Sequence, residues 1–208
     1  MSRPLLISDC DEVLLHMMVH FRDWLEEAHE IAFHLDGRDF HHAMRYRDGG
    51  QVEIARMWEL LDGFFDTEMH RQTPIPGALE ALEALAADAD VVILTNLSDH
   101  RREARVRQLA TLGLDIRVFT NQGPKGPALR AIIEEYRPNR TVFVDDLAQH
   151  IESAAEIVPD VARLHLIGEP LVAPHLPCAF QQGHAHARID RWDEALPWLR
   201  EKLHGPAL

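Results

Sequence analysis

The sequence predicts an α/β protein: a Rossmann-like, doubly wound parallel sheet with an all-helical cap inserted after its first strand. Three observations predict it. Short runs rich in Val, Ile and Leu, apolar on both faces, recur along the chain; parallel strands covered by helices read this way. Helix-length segments separate them, and repeated strand–helix–strand alternation builds a parallel sheet with helices on both faces. Residues 15–74 interrupt that rhythm with helical patterns and offer no strand candidate.

The first strand is "PLLIS" (4–8). The interruption follows at once. "HMMVHFRDWLEEAHEIAFHL" (16–35) reads as one long amphipathic helix, 37–50 as a short helix or turn ending in a glycine pair, and 51–70 as a further helix. The alternation then resumes. "PGALEALEALAAD" (76–88) sets Leu79, Leu82 and Leu85 on one face behind a proline and a glycine. "VVILT" (91–95) is a strand, and 99–113 is a helix opening on a capping aspartate and closing on glycine. Strand "IRVF" (116–119), helix 126–136, strand "TVFV" (141–144), helix 150–158, strand "ARLHLI" (162–167) and helix 190–203 complete the order. Residues 168–183, with three prolines, read as a long loop. The expected organisation is a discontinuous core, 1–14 with 75–208, and a cap, 15–74.

Composition narrows the function. Of 208 residues, 46% are hydrophobic and 26% charged, as in ordinary soluble globular proteins. The net charge of −13 argues against nucleic acid as a partner, because such binding needs a basic face. No apolar run approaches the roughly 18 residues of a membrane span, and the N-terminus lacks a signal-peptide pattern. A cytoplasmic protein with no membrane partner is expected. Two cysteines, Cys10 and Cys178, form neither a disulfide framework nor a zinc-ligand spacing. The 14 histidines are scattered. "HAH" at 184–186 suits either one face of an edge strand or, with Cys178, a metal site. No glycine-rich dinucleotide turn follows the first strand, which disfavours oxidoreductase chemistry.

Ligands of open parallel sheets bind beyond the carboxyl ends of the strands. After the first strand stand Asp9 and Asp11. Thr95 and Asn96 end the second core strand, and Asp145 and Asp146 follow "TVFV". Lys125 opens a helix, where a cation opposes the helix dipole by roughly 0.3–1 kcal/mol, so helix design alone does not ask for it. Each type has a task if phosphate is the target. A carboxylate can attack phosphorus, clustered carboxylates can hold Mg²⁺, and a lysine with a hydroxyl can hold phosphoryl oxygens.

Together the four motifs, "DCDEV", "VVILTN", "GPKGPALRAI" and "TVFVDD", resemble those of the haloacid dehalogenase-like hydrolase superfamily, in order and over essentially the whole chain. The resemblance implies Asp9 as nucleophile and metal ligand. It implies Asp11 as general acid and then base, its backbone carbonyl also touching the metal. Thr95 and Lys125, with Asn96 beside them, would bind the phosphoryl group. Asp146 would be the direct Mg²⁺ ligand, with Asp145 beside it or acting through water. Members that remove halogen lack the second aspartate and need no metal, so Asp11 with the Asp145–Asp146 pair favours phosphate chemistry. The implied activity is a Mg²⁺-dependent phosphohydrolase acting on a small phosphorylated metabolite through an aspartyl-phosphate. A phosphoryl mutase with the same residues, or a retired member that binds a ligand or partner, are the alternatives.

One residue departs from the family pattern: Glu12 stands where phosphatases of this family commonly have glycine. Family members carry caps at the position of 15–74, and caps choose the leaving group. Arg45, Arg47 and Arg56, with His41 and His42, are the candidates for substrate contact there. The Arg45–Arg47 pair leads, since arginine binds anionic groups bidentately.

Overall fold

Six strands form one parallel sheet: β1 (Leu5–Ser8), β4 (Asp90–Thr95), β5 (Arg117–Thr120), β6 (Thr141–Asp145), β7 (Ala162–His165) and β8 (Ala187–Arg188). The computed structural model describes residues 2–36 and 40–205. Strand order is β5-β4-β1-β6-β7-β8, so the chain winds outward from β1 to one edge and then returns past it to the other. β1 is the point of reversal. Ser8 registers with Ile93 and with Val144, so the residues just beyond these positions emerge together along one edge.

The sheet is covered on both faces. Alternation in β1 sends Leu6 to one side and Leu5 and Ile7 to the other. On the first side lie α3 (Ala78–Ala86), α4 (Arg102–Thr111) and α7 (Trp192–His204), whose Leu82, Leu109 and Trp192 pack with Leu6. On the second lie α5 (Gly126–Tyr136) and α6 (Ala148–Ile157), whose Leu129 and Ile151 pack with Phe143. The doubly wound α/β architecture read from the sequence is the one observed. The edge strand offered as one reading of "HAH" lies just after it: β8 is two residues long and follows His186. His186 accepts a hydrogen bond from the Arg163 amide at Nδ1 (3.0 Å), and Cys178 belongs to no metal-capable cluster among the described residues.

Residues 17–72 build a second core, rich in aromatics, from α1 (Met18–His29) and α2 (Ile54–Thr67). Phe21 touches Trp24, Phe33, Phe40 and Phe64, with centroids 5.4–6.1 Å apart. The all-helical expectation for this segment needs correction. The long helix over 16–35 stops at His29, where Glu30 takes a left-handed conformation (φ 56°). Beyond it β2 (Ile31–Phe33) pairs antiparallel with β3 (Met44–Tyr46). Ile31 and Phe33 are buried and Ala32 between them exposed; an alternation of three residues is too short to stand out against a helical pattern. Gly37, Arg38 and Asp39, part of the short helix or turn expected over 37–50, lie outside the described residues.

The segment leaves and re-enters the sheet layer along paired strands of chain. The His16 amide donates to Thr73 O (2.9 Å) and the Ile75 amide to Leu14 O (2.8 Å). A further tie crosses between the layers: Arg101, just before α4, reaches Asp62 (2.6 Å) and Asp66 (2.7 Å) on α2. Among the described residues no helix is long and apolar enough to cross a membrane.

Candidate active site

Asp9 follows β1 directly, and its amide is fixed to Val144 O (2.9 Å). Its carboxylate meets Lys125 Nζ at 2.8 Å, and the same ammonium reaches Asp145 Oδ2 at 2.7 Å. Lys125 stands at the N-cap of α5 and is fully buried. An ammonium there is tolerable because two carboxylates face it. Asp9, Asp145 and Asp146 each offer an oxygen within 4.8 Å of the others. The second oxygen of Asp145 accepts from the Leu147 amide (2.9 Å), so both of its oxygens are engaged. Asp146 is 7% exposed, and no donor among the described residues bonds its carboxylate. Its backbone carbonyl is held by His165 Nε2 (2.7 Å), whose Nδ1 accepts from the Ala179 amide (3.2 Å).

The electrostatics follow from this crowding. Burial pushes the Asp9 carboxyl up to about 6, with Lys125 pulling it down and Asp145 adding to the rise. Burial also raises Asp146 well above the usual carboxylate range, and Asp145 and Asp9 push in the same direction. Against the pull of burial, Asp145 and Asp9 hold Lys125 above its ordinary value. Three carboxylates share one ammonium. A divalent cation fits that donor set: hard oxygens, excess negative charge and one carboxylate without a donor among the described residues. Thr95 adds a second sign of a ligand. Its hydroxyl is buried and has no hydrogen-bond partner among the described residues. Asn96 Nδ2 lies 3.0 Å from Gly123 O and 3.2 Å from His150 Nε2, and its Oδ1 accepts from Asn121 (2.8 Å).

Asp11 has a different environment from Asp9. Arg105 Nη2 donates to both its oxygens (2.8 and 2.9 Å), and Gln72 Nε2 donates to Oδ1 (2.6 Å). The Asp11 carboxylate therefore does not join the three clustered acids. Arg105 is fully buried on α4 and was missed in the sequence. The available signal was its spacing: Arg101, Arg105 and Leu109 fall four apart, so arginine occupies positions on a face that Leu109 buries. Cys10, between the two aspartates, is buried and its thiol is pushed up to about 12 by burial.

The arginines expected to touch substrate are engaged elsewhere. Arg45 bonds Gln51 and Met44 O, and Arg47 pairs with the exposed Glu30 (2.8 Å). Arg56 pairs with Glu59, and His41 Nε2 lies 2.7 Å from Val52 O. No hydrogen bond or ion pair among the described residues joins Arg45 or Arg47 to the clustered acids. Their periodicity could not reveal partners within the same segment.

A protein-family model described as haloacid dehalogenase-like hydrolase matches residues 3–157. The chain belongs to that family. Solved structures share the fold of this haloacid dehalogenase-like hydrolase at low identity. One is a family hydrolase from Deinococcus radiodurans R1, determined with phosphate and sodium bound (19% identity, TM-score 0.67, 95% of each chain covered). Another is a conserved haloacid dehalogenase-like protein of unknown function from Agrobacterium tumefaciens (17%, TM-score 0.67, 94% of this chain and 96% of that one). A third is a family hydrolase from Streptococcus pneumoniae (10%, TM-score 0.64, 95% and 98%). No curated protein matches the chain.

Proposed function

We propose that this hydrolase is a Mg²⁺-dependent phosphatase that cleaves a small, cytoplasmic phosphorylated metabolite through a phosphoryl group carried on Asp9. The observation that carries this reading is the Asp9 carboxylate, held by Lys125 beside two further acids and near the end of a strand whose last hydroxyl, that of Thr95, has no hydrogen-bond partner among the described residues. The phosphate found in the D. radiodurans structure supports it. In this reading 15–74 is a cap over a core formed by 1–14 and 75–208.

Asp9, Asp146 and the Asp11 carbonyl would hold the ion, with Asp145 aligning Lys125. The bound ion would offset the charge of the phosphoryl oxygens. Lys125 and the Thr95 hydroxyl donate to those oxygens, and Asn96 borders them. The Asp9 carboxylate attacks phosphorus, and the bond to the leaving oxygen breaks. That oxygen takes a proton from Asp11. Water then attacks the phosphoryl group on Asp9, gives its proton to Asp11 and releases inorganic phosphate. Arg105 occupies both Asp11 oxygens in the arrangement described, so Asp11 turns away from it to serve the leaving group.

Asp9→Asn tests the reading. With Mg²⁺ and a generic phosphomonoester, phosphate release should fall by at least about 10³-fold, as when other covalent nucleophiles are removed. The circular dichroism spectrum should be unchanged. Undiminished turnover would overturn the proposal.

A further inference from the structure

A second group of ligand atoms lies at the root of α1, on three side chains that the proposed phosphatase chemistry leaves unused. Glu12, His16 and Glu169 each offer one within 4.8 Å of the others. Glu12 follows Asp11, His16 begins the passage into α1, and Glu169 follows β7.

Acids gathered together do not by themselves make a site. Here the hydrogen bonding adds an independent sign. Glu12 is 3% exposed. Its Oε1 is fully committed, accepting from the Met17 (2.8 Å) and Met18 (2.6 Å) amides at the start of α1. Its Oε2 is buried and has no hydrogen-bond partner among the described residues. Leaving a buried carboxylate oxygen without a donor is costly. Glu169 repeats the pattern: it is buried, and Oε1 accepts from the Leu171 amide (2.9 Å). Its Oε2 stands 3.0 Å from His16 Nδ1. That ring nitrogen still makes no properly angled hydrogen bond. The two atoms converge without a well-angled hydrogen bond, as two ligands of one ion do.

We propose that Glu12, His16 and Glu169 form a second divalent-cation site, separate from the Asp9–Asp145–Asp146 cluster and selective for a zinc-like ion. Two carboxylates and one imidazole give a mixed oxygen and nitrogen set, which suits zinc and its first-row neighbours and not magnesium. Two carboxylates neutralise a divalent ion, and the set leaves a fourth position for water. His16 also lines an open cleft of about 760 Å³, bordered by Gly168 and Pro170, which supplies an entry path. The ion would fasten the loop after β1, the passage into α1 and the loop after β7 to one another.

Cobalt(II), which replaces zinc and absorbs visible light, is the probe. The protein should show a visible ligand-field band at one tight equivalent of Co²⁺, and one equivalent of Zn²⁺ should abolish it. His16→Ala and Glu169→Gln should each lose the band while keeping the wild-type circular dichroism. Asp146→Asn, which disables the other cluster, should keep it, and Zn²⁺ should still raise its melting temperature. No band in the wild type, or a band unchanged in both His16→Ala and Glu169→Gln, overturns the proposal. Loss of the band in Asp146→Asn alone would assign the ion to the other cluster and overturn it equally.

Discussion

His150 shows how a single side chain beside the site sets a pH limit. It lies on α6, is almost wholly buried, and its Nε2 is 3.2 Å from Asn96 Nδ2. An amide nitrogen can only donate, so Nε2 accepts and the ring is neutral. Burial lowers its pKa to about 4, and Lys125 pushes the same way. The unfolded chain takes up this proton near pH 6.5, before the folded one does. His150 therefore contributes stability that is complete above pH 6.5 and is lost as the pH falls toward 4, at most about 3 kcal/mol. His150→Gln should flatten that part of the stability profile in urea titrations from pH 7 to 4. A profile as steep as wild type would refute the assignment. Residues of this kind mark the limit of reading a sequence. Asp9, Lys125 and Asp146 stood out because charge at a strand end or helix start needs a reason. His150 and Gln72 lie inside or between elements where a polar residue is ordinary, and Arg105 showed only its spacing with Leu109. Their partners, 33 to 94 residues away, come together only in the fold.

At the scale of elements, α5 aims Lys125, and its closeness to α6 rests on one glycine. A Cβ on Gly126 would lie 2.4 Å from Ser153 O, 2.7 Å from Ser153 Oγ and 2.8 Å from Ile157 Cγ1. The Gly126 amide meanwhile donates to that same Ser153 hydroxyl (3.1 Å). Gly126→Ala should force the helices apart, at a cost of about 1–3 kcal/mol. It should also lower turnover, because Lys125 moves with the helix start. Denaturant unfolding with parallel kinetics would check this; wild-type stability would show that α6 yields without cost. The β-strands of the sheet were legible for the opposite reason. Their runs of Val, Ile and Leu are buried on both faces and need no partner to be recognised. β2 and β3 were hidden because each has three residues and its role is set by the other. β8 has only two.

The molecule as a whole carries a net charge of −13 and concentrates part of it in one buried cluster. Asp9, Asp145 and Asp146 outnumber Lys125 there, so the folded state should gain from a cation that the unfolded chain cannot hold. At a hundred times its dissociation constant, Mg²⁺ should add about 2.7 kcal/mol. For a chain of this size that is a rise in melting temperature of ~5–10 °C, and excess EDTA should reverse it. Asp146→Asn should respond far less. An equal rise in that variant would place the ion elsewhere.

The paired passage between layers has a consequence for construction. Leu14 and Ile75 are joined by a direct 2.8 Å hydrogen bond, so the sixty residues between them open and close on adjoining ends. A short turn could bridge that gap without stretching the sheet, which makes 15–74 a cassette to be removed or exchanged for another. A chain without 15–74 should keep the sheet and its flanking helices by circular dichroism. It would lose Gln72, one of the two side chains that hold Asp11, so its reaction loop would be the first part to loosen. Protease cleavage near Asp11 in the shortened chain, against none in the parent, would register that loosening.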